Sequence, residues 1–182
     1  YAGFTGWGYL AGWNSANQWV RFDVNLPSAG GRTLTFRYAA GAGNASRAIN
    51  INGTNAYPNL AFANTGAWAN YAYVSVAYNF PAGKSFITVA LNPGLGNGNF
   101  LNLDSLTLTD LKIKNFTVAA GGAVQLTWDS VPGQTYQVQY ASQLPTASWS
   151  NLGSVITATN TMTSATDSMG ANASRYYRVR TP

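Results

Sequence analysis

The chain has 182 residues, enough for one domain or two small ones, and 46% of them are hydrophobic, which excludes a disordered polar segment. Only 8% are charged and the balance is +5, from ten Lys and Arg against five Asp with no Glu. Cys and His are absent, so disulfide frameworks, thiolate chemistry, Ser-His-Asp sites and His-based metal sites are excluded.

Residues 1–17 are rich in Gly and aromatics, and Trp7, Tyr9 and Trp13 lie in a stretch too broken by Gly for a long regular element. Gln18–Leu26 then alternates, with Val20, Phe22, Val24 and Leu26 on one side and Trp19, Arg21, Asp23 and Asn25 on the other. A period of two marks a half-buried strand. The 27–31 segment is a turn, and Thr33–Ala39 is the next strand, with Leu34, Phe36 and Tyr38 inward. After a 41–46 loop, Ala48–Asn52 is a short strand closed by Asn52-Gly53, a favoured hairpin pair. A loop is expected from there to Gly66. Thr65–Phe80 opens on a turn carrying Trp68 and then alternates, with Val74, Val76, Tyr78 and Phe80 opposed to Tyr71, Tyr73, Ser75 and Ala77. Ser85–Leu91 and Asn102–Leu108 complete the first set, separated by a Gly/Asn loop over 92–99.

Composition changes at 109–111, and a second set of strands follows: Lys112–Ala119, Ala123–Asp129, Thr135–Ala141, Leu152–Ala158, Thr161–Asp167 and Tyr176–Thr181. The fold class is therefore all-β, two tandem β-sandwiches over 1–110 and 111–182. Sequons stand at Asn44, Asn52, Asn115 and Asn172, a chance outcome in a chain so rich in Asn, Ser and Thr. No apolar run is long enough to cross a membrane. Low charge, abundant Asn and Thr and absent Cys fit a secreted, extracellular bacterial protein.

The missing residue types weigh against catalysis. Paired carboxylates are available only from Asp23, Asp104, Asp110, Asp129 and Asp167, whose ordinary uses are turns, caps and ion pairs. The basic residues are scattered, no recognition helix accompanies them, and nucleic acid is not an expected partner. Arg178 and Arg180 share one strand face, read as a solvated face. Saccharides, with flat CH faces and hydroxyl rims, suit a neutral chain rich in Trp, Tyr and Asn. Trp19, Trp128, Phe22, Phe36, Tyr78, Phe80 and Phe86 lie in alternating strands and are assigned mostly to packing. Trp13 and Trp68 lie on Gly-flanked turns, where exposure is easier.

The stretch Gly12-Trp13-Asn-Ser-Ala-Asn-Gln-Trp19-Val20, then Leu34-Thr-Phe36-Arg37-Tyr38-Ala39, Thr65-Gly66-Ala67-Trp68, Phe80-Pro81-Ala-Gly83 and Phe100-Leu-Asn102-Leu-Asp104-Ser105-Leu106, resembles family 6 and family 35 carbohydrate-binding modules over residues 3–108. The resemblance implies a jelly-roll-like β-sandwich that binds a polysaccharide or oligosaccharide at its loop end, without catalysis. It implies Trp13 and Trp68 as the rings enclosing the sugar and Asn102 as the polar anchor; Asn44, Arg47 and Asn99 join the rim by loop position. No cofactor is required. Asp104 matches a structural calcium position, although its usual acidic partner is missing here. The family's N-terminal strand or strands are expected to be missing, leaving an open sheet edge; the alternative reading is thus a fibre or surface-layer subunit completed by a neighbouring chain. The parent enzyme's catalytic domain is a further expected partner. The second part, from Gly122 through Trp128 and Tyr136 to Arg175-Tyr-Tyr-Arg-Val179, is similar to a fibronectin type III-like module with Trp128, Tyr136 and Tyr177 in its core.

Overall fold

A computed structural model describes residues 1–13, 15–145, 148–169 and 174–182; Asn14 of the first quoted stretch and the sequon at Asn172 lie outside the described residues. The chain is all-β. It groups into two units: unit 1 comprises Tyr1–Ala29, Leu34–Ser75 and Phe80–Thr107, and unit 2 comprises Gly30–Thr33, Val76–Asn79 and Leu108–Pro182. Two short pieces from earlier in the chain, Gly30–Thr33 and Val76–Asn79, thus cluster with the second unit.

The first seven strands are β1 (Trp19–Leu26), β2 (Gly30–Ala39), β3 (Ala45–Ile51), β4 (Thr54–Phe62), β5 (Ala72–Phe80), β6 (Gly83–Ala90) and β7 (Asn102–Asp110). One sheet has the order β1-β6-β3-β4 and another β5-β2-β7. Leu34, Phe36, Ile49, Ile51, Phe62, Ile87, Leu101 and Leu103 form the interior of unit 1, and Phe62 meets Phe36 and Tyr38 edge-on. Alternation in β1 has the expected sense: Trp19, Arg21, Asp23 and Asn25 are exposed, while Val20, Phe22, Val24 and Leu26 are half-buried.

Strand β4 replaces the loop expected before Gly66. Its composition, with Asn55, Pro58 and Asn59, gives little strand signal. Proline is tolerated because β4 is the last strand of its sheet, so the missing N–H breaks no ladder on the open side. The Asn52-Gly53 pair makes the hairpin as expected, with φ of 51° and 83°. Residues before β1 lie along β7: Leu10 and Leu103 exchange backbone hydrogen bonds of 2.8 and 2.9 Å.

The later strands are β8 (Ile113–Val118), β9 (Ala123–Asp129), β10 (Thr135–Ala141), β11 (Ser150–Asn151), β12 (Ile156–Thr157), β13 (Met162–Ser168) and β14 (Tyr176–Arg180). One sheet is β13-β9-β8; in the other, β10 pairs with β11, β12 and β14. The single strand expected over Leu152–Ala158 is instead two short pieces, β11 and β12, on either side of Leu152–Val155. Trp128 and Tyr136 are fully buried with Val124, Leu126, Val138 and Ala158, and Tyr177 packs at their edge.

Candidate functional site

Four of the expected site residues, Trp13, Asn44, Arg47 and Asn99, are linked around one buried cation in unit 1. Arg47 points from β3 into the interior and is 0% exposed. Its guanidinium carbon lies 4.7 Å from the centroid of Trp13. Nη1 donates to Ser46 O at 2.7 Å and Gly98 O at 3.2 Å, and Nη2 donates to Asn99 O at 3.0 Å. Burial pushes its pKa down to about 10, so it remains a cation at neutral pH. The charge is stabilised by carbonyl dipoles and a π face, with no carboxylate paired to it among the described residues. Nε is buried without a hydrogen-bond partner.

From Arg47 the contacts continue outward. Asn99 Nδ2 donates to Asn44 O at 3.0 Å, and Asn64 N donates to Asn44 Oδ1 at 2.8 Å. Asn64 Oδ1 in turn accepts from Gly66 N at 2.9 Å, an Asx turn that shapes the loop before Trp68. Thr65 ties that loop to the end of β2, its N–H donating to Ala40 O at 3.1 Å and its hydroxyl oxygen accepting from Ala40 N at 3.1 Å. Gly41 lies directly beneath Trp68: a Cβ there would fall 2.6 Å from Trp68 N and 2.8 Å from its ring. Trp13, Arg47, Asn99, Asn44 and the Trp68 loop are therefore linked by a continuous series of contacts.

Trp68 is half-buried, with the Tyr1 ring 6.0 Å away. Asn44 and Asn99 are exposed, as rim positions require. Three expectations need correction. Trp13 is only 7% exposed, since its Gly-flanked turn folds the indole in to cover the Arg47 cation. Arg47 is an interior brace and presents no surface to a ligand. Asn102, at the start of β7, is 6% exposed. Trp19, assigned to packing, is instead exposed on the outer face of β1, where it lines a cleft of about 340 Å³ with Arg21, Asn50, Phe86 and Thr88. Another cleft, of about 310 Å³, opens beside Asn44 and Tyr73.

Asp104 is also placed differently. Its Oδ1 accepts from Thr5 N at 2.8 Å, and its Oδ2 accepts from Thr5 Oγ1 at 2.7 Å and pairs with Arg37 Nη1. Arg37 itself donates to Gly3 O at 2.8 Å and lies over the Tyr71 ring at 4.3 Å. Burial pushes the Asp104 carboxyl up, but the hydrogen bonds from Thr5 and Arg37 outweigh it and hold the pKa below its ordinary value. A guanidinium beside a fully engaged carboxylate does not fit a calcium ligand, and among the described residues no three acidic side chains cluster. Asp104 anchors the residue 1–10 segment to β7 instead.

Asn64 and Gly41 carry no role in the sequence reading, and Thr65 enters it only as part of the turn before Trp68. The Asn64-Thr65-Gly66 turn signal was available; the closeness of Gly41 to Trp68 was not.

The family model described as carbohydrate binding module (family 6) matches residues 2–110. A cycloisomaltooligosaccharide glucanotransferase of Niallia circulans is 33% identical over 116 residues, covering 64% of this chain and 12% of that protein. An isomaltosyltransferase of Sporosarcina globispora is 31% identical over 110 residues, covering 60% of this chain and 10% of that protein. A family 35 carbohydrate-binding module from Clostridium thermocellum superposes with a TM-score of 0.55 at 31% identity, over 60% of this chain and 82% of that chain. The chain thus spans 10% and 12% of the two curated relatives named.

Proposed function

We propose, from the premise that this chain belongs to family 6 of the carbohydrate-binding modules, that unit 1 retains a polysaccharide without acting on it. The observation that carries this reading is the braced Trp68 loop: an indole partly open to solvent, supported from below by Gly41, beside the exposed amides of Asn44 and Asn99. A sugar ring stacks on the indole, and the amide N–H groups of Asn44 and Asn99 left over from the loop contacts donate to its hydroxyl oxygens. Trp13 and Arg47 act one layer beneath, holding the Asn99 loop in place. This revises the two-ring enclosure: Trp68 is the platform, and Trp13 supports it. Isomaltooligosaccharides and dextran are the first ligands to test, because the names of both glucan-acting relatives point to isomaltose-type chains.

The complete lack of His, Cys and Glu supports a non-catalytic role. The protein works as a secreted bacterial module that keeps a partner catalytic domain near its polymer, and unit 2 serves as a fibronectin type III-like spacer. Affinity electrophoresis in dextran-containing gels tests the binding claim. Trp68→Ala is expected to weaken retention by on the order of 1–3 kcal/mol, by analogy with base stacking on aromatics, with thermal unfolding almost unchanged. Unaltered retention, or loss of the fold, removes Trp68 from the site.

A further inference from the structure

Ten cations share five carboxylates in this chain. Every carboxylate is engaged: Asp23 with Arg21, Asp104 with Arg37, Asp110 with Arg32 and Lys112, Asp129 with Lys114, and Asp167 with Arg175. Among the described residues this leaves Arg47, Lys84, Arg178 and Arg180 without an acidic partner. Arg47 is buried beneath Trp13 and Lys84 stands alone on β6. Arg178 and Arg180 are neighbours, two positions apart on one face of β14 and both exposed, which spaces them by about 7 Å. Neither β14 nor the paired β10 contains an acidic residue.

This face of unit 2 is held in place. Arg178 Nε donates to Gln139 Oε1 at 2.8 Å, and Gln139 Nε2 donates to Asn151 Oδ1 at 2.8 Å. The guanidinium carbon lies 4.4 Å from the Trp149 ring centroid. Gln139 and Trp149 thus fix the orientation of Arg178, and its Nη groups have no partner among the described residues. Burial and then the nearby Arg180 charge lower the Arg178 pKa, so the two like charges feel one another. A pair of freely solvated arginines would relax apart; the Arg178 end of this pair is immobilised. Tyr176, one step earlier on the same face, adds an exposed aromatic ring.

We propose that this face of β14 is a second ligand site, distinct from that of unit 1, which binds the carboxylates of a polyuronate. Guanidinium groups pair with carboxylates in a bidentate fashion, so two of them at a set spacing suit a polymer that repeats the carboxylate along its length. Tyr176 supplies a surface for a pyranose ring, which distinguishes a saccharide from a simple polyanion.

Affinity electrophoresis of the full chain tests the assignment, with gels containing polygalacturonate, neutral dextran or single-stranded DNA. Polygalacturonate is expected to retard the protein, and the double variant Arg178→Gln, Arg180→Gln to lose at least tenfold in apparent affinity. Arg180→Gln alone, at a residue with only a backbone hydrogen bond among the described residues, is expected to lose at least threefold with unchanged thermal unfolding. Dextran retention of both variants is expected to match that of the parent chain. If the parent chain ignores dextran but binds polygalacturonate, the reading of unit 1 fails while this one stands. No retention by polygalacturonate, equal retention after substitution, tighter binding to DNA, or a parallel loss on dextran each overturns the proposal.

Discussion

An arginine lies over a tryptophan in each unit, and the two pairs have opposite surroundings. Arg47 and Trp13 are buried together, with the guanidinium 4.7 Å from the ring centroid and three backbone carbonyls satisfying Nη1 and Nη2. Arg178 and Trp149 are 4.4 Å apart at the surface, with Nε satisfied by Gln139. The cation–π contact is similar in both, and what differs is which donors are occupied. Engaging both Nη groups makes the first arginine a brace between loops, whereas engaging only Nε leaves the second able to meet an anion. A contact type alone therefore does not identify a site; the unfilled hydrogen-bonding capacity does.

A second pairing repeats across the units and gives the largest expected effect. Asp104 with Arg37 and Asp167 with Arg175 are both largely buried ion pairs, each reinforced by a hydroxyl, from Thr5 or Tyr177. Asp104→Asn and Asp167→Asn leave a cation without its counter-ion, and each is expected to destabilise its own unit by about 3 kcal/mol in urea titrations. Burial raises both carboxyl pKa values, but hydrogen bonds and the neighbouring guanidinium lower them further, so both lie below the ordinary value. On acidification the unfolded chain binds protons first, near pH ~4. Stability from these pairs is then complete above that pH and lost as pH falls through the lower folded values. Each Asn variant is expected to remove its own share of this acid slope.

Arg47→Met comes next. It preserves bulk under Trp13 but strands the carbonyls of Ser46, Gly98 and Asn99, and a loss of about 2–3 kcal/mol is expected in unit 1 alone, with weakened dextran retention. Gly41→Ala follows. The added Cβ would meet Trp68 N at 2.6 Å, and overpacking of this kind costs about 1–3 kcal/mol. Here retention is expected to fall along with stability, because the Trp68 loop must move. The smallest effect is expected at the exposed pair: Arg178→Met removes the donor to Gln139 Oε1 and should destabilise unit 2 by no more than about 1 kcal/mol. A large loss there would make Arg178 a brace like Arg47 and erase the contrast between them.

Much of the fold was legible in the residues. Alternation placed β1, β2 and β5; β9 and β10 lie over the ranges expected for them, and Asn52-Gly53 marked its hairpin. Strand β4 was not legible, because its Pro58 and its Asn residues are acceptable only at a sheet border, and no local pattern reveals which strand will lie there. The candidate site was partly legible: Arg47, Asn44, Asn99 and Trp13 do come together and the two Asn are exposed, but the depth of Trp13 and Arg47 was misjudged. Turn composition tells that a side chain is free to leave the core, and says nothing about a buried cation waiting to draw it back.

The amino-acid sequence by itself determined that this protein is all-β, has no His, Cys or Glu for chemistry, and carries twice as many cations as carboxylates, because composition and a period of two depend only on neighbouring residues. Tertiary structure alone decided which cations remain unpaired, that Trp13 lies inside while Trp68 stays partly open, and that Asp104 holds the N-terminal segment. Those outcomes depend on groups far apart in the chain, such as Arg47 with Asn99 and Thr5 with Asp104, whose proximity no local pattern encodes.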